Sequence, residues 1–293
     1  MAEAETLERP EEAKPVGPFE VSDELRPRID EFELWDVIAS LREHGYGVIR
    51  QAGPPALWDD LREAIHTLST PTEDASATGI VGSAPLLLGR HPAVDRIATL
   101  PKVMAIAEFS CGKAMRGGRF VGSIKHQFTG EGDGALGLHA DQNWMPVPFP
   151  EHNLVMTFCF ACEGMTHAGG ATCVVPGSHR LRRPPTAKDL ETAEPVAIET
   201  QKGDVAVWDG AVWHGSLPRR IPGTRTVLHA TYQRLYTQPI DDFTYLLKDE
   251  AYMASAPEGM RQLLGAELFF HTATPKNDVD MKKFMYAAAA AKL

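Results

Sequence analysis

The chain has 293 residues, 43% hydrophobic and 23% charged, with a formal charge of −10. These proportions are those of a soluble globular protein and exclude collagen-like, disordered and membrane-embedded classes. No Lys/Arg stripe offers the counterion-releasing surface that nucleic acids require, and no apolar run reaches the roughly 18 residues needed to span a bilayer.

Residues 1 to 25 hold Pro and Glu with few apolar side chains, which predicts a tail without chemistry. One domain is expected from 26 to 293, since barrels with helical additions often run to this length. From 31 to 108 apolar residues recur three and four apart, in the stripes Leu34, Ile38, Leu41, then Trp58, Leu61, Ile65, Leu68, then Ile97, Leu100, Met104, Ala107. The spacing predicts a helical layer packed on a sheet.

From about 118 to 235 the period shortens to apolar runs broken by Gly, Pro and Asp, as in RFVGSIKHQF, NLVMTFCFA, GATCVVPG, GDVAVWDG and TRTVLHATY. This pattern predicts a mainly β fold, a jelly-roll or cupin-like barrel with helices before and after it. Cys111, Cys159, Cys162 and Cys173 are too few and scattered for a disulfide framework. Cys159 and Cys162 form a CxxC within a strand-like run, where a spacing of three points them to opposite faces as core hydrophobes. Helical spacing returns from 241, with Phe243, Leu246, Leu247, Met260, Leu263 and Leu264, before an alanine-rich end. The final Ala-Lys-Leu is similar to a peroxisomal address and would be read only in a cell with peroxisomes; otherwise the expectation is cytoplasmic. Nothing in the pattern chooses between monomer and homodimer.

The chemistry concentrates in GLHADQNW. Alternation along a strand puts His139 and Asp141 on one side, and His214, after the Gly-Asp turn of GDVAVWDG, is the candidate third ligand. Two imidazoles and one carboxylate leave open positions on an octahedral metal, the arrangement of non-haem Fe(II) oxygenases. The same donors suit zinc, although a zinc hydrolase would want a nearby general base that is not evident. Arg225 follows in TRTVLHATY and offers a fixed fork for the remote carboxylate of a dicarboxylate co-substrate.

HADQ at 139 to 142, GGATCVVPGSHR at 169 to 180, GDVAVWDGAVWHGS at 203 to 216 and the following TRTVLHATY together resemble the phytanoyl-CoA dioxygenase family of Fe(II)/2-oxoglutarate oxygenases. The resemblance covers roughly 30 to 235 and implies a double-stranded β-helix. It implies His139, Asp141 and His214 as iron ligands, Arg225 as the anchor of 2-oxoglutarate, and Thr172 as a further contact to it. Where many members carry a Gln shortly before the motif, this chain has Ala135, Leu136 and Gly137, so Gln127 or Lys125 on the preceding strand is the candidate replacement. The implied reaction consumes O2 and 2-oxoglutarate, releases succinate and CO2, and by default hydroxylates the substrate; Asp141 argues against halogenation.

The apolar NWMPVPFPEHN makes Asn143, Trp144 and Met145 the candidate substrate contacts and suggests a largely apolar small molecule, natural-product or lipid-like, although the loop equally suits packing. Arg180, Arg182, Arg183, Arg219 and Arg220 leave an acyl-CoA as a second substrate class. TGEGDGALG, 129 to 137, reads either as a lid or as a hairpin connection. A non-catalytic cupin-like binding protein and a zinc hydrolase are the competing functions.

Overall fold

Strand alternation sorts the barrel residues between two cores, and a computed structural model describing residues 20–72 and 79–266 shows how. In β6 (Val155–Ala161), Met156, Phe158 and Phe160 join the larger cluster, while Cys159 and Ala161 join a second one. β9 (Val205–Asp209) divides alike, Val205 and Val207 against Ala206 and Trp208, as does β11 (Arg225–Gln233), with Leu228, Ala230 and Tyr232 against Val227. The larger cluster is the sheet's outer face buried under helices; the smaller lies inside the barrel.

The seven-stranded antiparallel sheet runs β1-β9-β6-β11-β4-β3-β2, where β1 is Tyr46–Ile49, β2 Thr70–Pro71, β3 Ile80–Ala84 and β4 Arg116–Lys125. Facing it is a four-stranded antiparallel sheet, β5-β10-β7-β8, with β5 Leu136–His139, β7 Thr172–Val174, β8 Val196–Ala197 and β10 His214–Ser216. Two facing antiparallel sheets agree with the double-stranded β-helix expected.

Helices Trp35–His44, Pro55–Leu68, Pro92–Ala98 and Pro101–Cys111 cover the outer face. Proline opens three of them, where its missing N–H costs nothing and its fixed φ suits the first turn. Gly45 ends the first in the left-handed region, at φ 81°. Trp58, Leu61 and Ile65 are fully buried, so the predicted stripe is a packing face. The stretch 31–108 is not helical throughout: β1, β2 and β3 interrupt it and extend the large sheet at both edges. These strands are short, β2 having only two residues, and β1 and β3 draw partners from far along the chain, as in Tyr46 with Trp208 and Ile80 with Lys125, so no local period announces them.

Beyond the barrel, Thr244–Lys248 is a 3-10 turn and Glu250–Ser255 and Met260–Leu263 are short helices, which bury Leu246, Met260, Leu263 and Leu264. The alanine-rich end and the Ala-Lys-Leu tripeptide lie outside the described residues. All four cysteines are buried and free, and Cys159 and Cys162 sit in different clusters, as their spacing requires. No described helix is long and apolar enough to cross a membrane.

Candidate active site

β5 and β10 are neighbours, and their register sets His139 directly opposite His214. The imidazole centroids are 4.3 Å apart. Each ring is oriented by its own backbone: Nδ1 of His139 contacts the Gly137 carbonyl at 2.6 Å, and Nδ1 of His214 the Val212 carbonyl at 3.2 Å. A carbonyl only accepts, so each Nδ1 is the protonated nitrogen and each Nε2 is left as a lone-pair donor. Gly137 can bend its carbonyl to His139 because it adopts φ 66°, a left-handed conformation that a side chain would strain.

Asp141 reaches the pair differently from a simple alternating strand. β5 ends at His139, and Asp141 lies in the turn that follows, secured by the Gln142 N–H on the Gly210 carbonyl. Gln142 is fully buried and its Oε1 accepts from the Leu154 and Val155 N–H groups. The carboxylate is divided by function. Oδ2 accepts from Thr157 Oγ1 at 2.6 Å and Trp208 Nε1 at 3.1 Å, while Oδ1 lies 3.6 Å from His139 Nε2 and 3.5 Å from His214 Nε2. Two Nε2 atoms and Oδ1 thus converge within 4.8 Å, the one cluster of metal-ligand geometry among the described residues. Burial pushes the Asp141 carboxyl up, but His214, His139 and Thr157 outweigh it and hold the group well below the usual carboxylate range. Asp141 therefore keeps its charge and is poised to bind a cation.

The cluster opens into a cavity of about 400 Å³ between the sheets. One end is polar: Arg225, Thr172 and Ser216 line it, and Ser216 pairs with Thr172 across β10 and β7. Arg225 is 4% exposed and donates through Nη1 to the Gly170 carbonyl, yet its Nε has no partner and it pairs with no carboxylate among the described residues. A buried guanidinium with unused donors facing a cavity is an anion site by its chemistry, since an unpaired buried charge is costly. Behind it, Lys125 is 1% exposed and donates from Nζ to Ser216 Oγ at 2.7 Å. Burial, reinforced by Arg225, brings its pKa down to about 7. The other walls include Ile80, Val121, Leu136 and Trp208, with His229 between Arg225 and Thr231 on β11. Burial and then Arg225 push His229 down to about 3, so it faces the cavity as a neutral imidazole.

Of the residues singled out from sequence, His139, Asp141, His214, Arg225 and Thr172 meet in this cavity. Gln127 does not: it is exposed and donates to the Arg220 carbonyl, while Lys125, the other candidate, points toward the polar end. Asn143, Trp144 and Met145 also fall outside the lining. Asn143 and Trp144 are exposed, and Met145 packs on the cluster of Ala140, Phe149, Ala211 and Trp213. The glycine-rich 129–137 joins strands of different sheets, so it is no hairpin; Arg220 ties it down through the carbonyls of Phe128, Gly130 and Gly132 and the Asp133 carboxylate. Sequence reasoning missed Thr157, Trp208, Ser216 and Arg119. The period-two pattern of β4, β6 and β9 was the signal that would have turned the first two and Arg119 inward.

The chain has relatives among known proteins. The Aspergillus fumigatus dioxygenase af480 is 27% identical over 246 residues, spanning 78% of this chain and 76% of that protein. Among solved structures, the non-haem α-ketoglutarate-dependent epimerase SnoN of nogalamycin biosynthesis superposes with a TM-score of 0.57 at 20% identity, over 69% of this chain and 83% of SnoN. HygX of Streptomyces hygroscopicus, solved with nickel and 2-oxoglutarate, gives 0.57 at 16% identity, over 69% of this chain and 88% of HygX. At these identities the structural likeness speaks for the fold. The family model of phytanoyl-CoA dioxygenase (PhyH) matches residues 41–227, which takes in every strand of the barrel up to β11 and all four residues of the motif, and by that match the chain belongs to the phytanoyl-CoA dioxygenase family.

Proposed function

We propose that the protein is an Fe(II)/2-oxoglutarate-dependent dioxygenase in which His139, Asp141 and His214 hold the metal and Arg225 anchors the far carboxylate of 2-oxoglutarate. The observation carrying this is that one cavity joins a two-histidine, one-carboxylate cluster to a buried guanidinium with unused donors. The donor set fits the ion: two neutral imidazoles and one carboxylate suit iron with positions left for other ligands. Bound iron and 2-oxoglutarate supply the oxidising chemistry, with O2 consumed and succinate and CO2 released.

The chain's own part is positioning. The Gly137 and Val212 carbonyls fix both imidazole tautomers, and Thr157 and Trp208 fix the carboxylate rotamer. Thr172 and Ser216 complete a polar seat beside Arg225. The other walls of the cavity include Ile80, Val121, Leu136 and Trp208, which favours a substrate with a largely apolar body and hydroxylation as the default outcome.

A free small molecule fits better than an acyl-CoA, because the arginines that would meet a nucleotide are committed elsewhere. Arg219 is spent on the carbonyls of Gly169, Pro222 and Gly223, and Arg220 on the 129–137 segment. Arg183 pairs with Asp189, Arg182 donates to the Phe149 carbonyl, and Arg180 to that of Arg42. Asp141 is the sole carboxylate lining the cavity among the described residues, so no second acid is at hand for zinc-type hydrolysis.

Anaerobic Fe(II) and 2-oxoglutarate should together give a weak visible charge-transfer band with the wild-type protein and none with His139→Ala. A folded, metal-loaded wild type without the band would overturn the proposal.

A further inference from the structure

Two arginines line the cavity, at opposite ends of one pair of strands. β4 and β11 are in register so that Lys125 faces Arg225 and Arg119 faces Thr231. Arg119 is therefore six residues along β4 from the Arg225 end, roughly 20 Å at about 3.4 Å per residue. If the diacid has one carboxylate at Arg225 and the other at the metal, none is left for Arg119.

Arg119 nevertheless stands level with the metal cluster. Thr157, which holds Asp141, pairs with Thr231 across β6 and β11, and Thr231 pairs with Arg119 across β11 and β4. The three form one row across the sheet, about 5 Å per strand, so Arg119 flanks the side of the cluster away from the Arg225 seat. Its side chain is exposed and makes no ion pair among the described residues. Asp241, which feels its charge, turns its Oδ2 to the Phe120 N–H instead. Of the cavity walls, the apolar Val121 and the small polar Thr231 are the ones beside Arg119, whereas Ile80 pairs with Lys125 and Leu136 with Ser216 at the Arg225 end.

We propose that Arg119 is the specificity-determining residue for the prime substrate, and that this substrate carries a carboxylate or another anionic group on a largely apolar body. Resting on the oxygenase reading, the assignment gives the two arginines separate ligands. Arg225 takes the co-substrate, and Arg119 takes the substrate's anionic end and turns its apolar part across the metal.

The test uses full-length protein loaded with Co(II) and saturated with 2-oxoglutarate, so that added acids do not compete at Arg225. Dodecanoate, 4-phenylbutyrate and 1-adamantanecarboxylate are titrated beside their methyl esters and followed by calorimetry. Wild type should bind at least one acid about ten-fold tighter than its ester, equivalent to about 1.4 kcal/mol. Arg119→Gln should bring that ratio to about one, and Arg119→Lys should restore part of it, the effect of a charged hydrogen bond. A wild type without acid preference across the panel, weak binding included, overturns the proposal, as does a preference that survives in Arg119→Gln. The Fe(II)/2-oxoglutarate band is recorded for both proteins: its absence from wild type condemns the oxygenase reading, whereas a band in both with no acid preference condemns the role of Arg119 alone.

Discussion

Thr157→Val tests whether the carboxylate of Asp141 is a shaped ligand or merely a nearby charge. The substitution keeps the branched shape in β6 and removes only the hydroxyl that donates to Oδ2 at 2.6 Å. A hydrogen bond to a charged group is worth about 1.5–3 kcal/mol. Trp208 Nε1 remains at 3.1 Å on the same oxygen, so the carboxylate does not swing free and the lower part of that range applies. About 1.5 kcal/mol is a factor of roughly ten in affinity, within the span expected when a partner behind a metal ligand is lost. Thr157 is also one of the groups keeping Asp141 ionised, so its loss lets the carboxyl pKa rise toward its ordinary value. Even at that value the group stays ionised between about pH 6 and 8, so the deficit should hold constant across that range. Calorimetric titration of Co(II) into anaerobic protein measures the deficit and its constancy, with the thermal midpoint as a control on folding. A folded Thr157→Val protein that binds Co(II) with wild-type affinity at both ends of that range would refute the division of the carboxylate described above.

Four further outcomes follow from the same structure. Arg225→Ala should weaken 2-oxoglutarate by roughly 100-fold, about two charged hydrogen bonds' worth, with Co(II) affinity unchanged; Arg225→Lys, with charge but no fork, should fall between. Equilibrium titration of 2-oxoglutarate into the Co(II) protein reads this, and equal loss of metal would contradict it. Lys125 has a folded pKa of about 7 against an ordinary 10.5, so between those values the unfolded chain holds a proton that the folded chain lacks. Stability of the ligand-free protein should therefore rise with pH across that window, and the rise should flatten in Lys125→Met. An anion seated at Arg225 favours charged Lys125, so 2-oxoglutarate binding at about pH 8 should take up a proton, visible as a dependence of binding heat on buffer ionisation enthalpy and absent from Lys125→Met. Burial pushes the thiols of Cys159 and Cys173 up to about 11 and Cys111 to about 12, with Cys162 also raised well above its ordinary value. A disulfide reagent at about pH 8 should thus find no reactive thiol in native protein and four after unfolding.

What could be read from sequence and what could not divide by the range of the interaction. In NLVMTFCFA the period of two already separates Met156, Phe158 and Phe160 from Cys159 and Ala161, because each residue's face is a property of the strand itself. Likewise GLHADQNW places two donors within three residues, and the distal His214 and Arg225 are recognisable by their own short contexts. Thr157 and Trp208 carry no such context. Their hydrogen bonds to Asp141 cross 16 and 67 residues, and an inward Thr or Trp reads locally as ordinary strand filling. β1 escaped for the same reason, since four residues paired to a strand more than 150 positions away have no period long enough to detect. Asn143, Trp144 and Met145 are a case of another kind. They follow the buried Gln142, which turns the chain out of the cavity through the Gly210 carbonyl and the Leu154 and Val155 N–H groups, a turn that the apolar run NWMPVPFPEHN does not announce. That turn gives the cavity's far side to the opposite sheet. The inward positions of β4 and β11, where Arg119, Val121 and Thr231 stand, are then the first to test for substrate contact, and the search for specificity moves from the motif's own loop to the strands facing it.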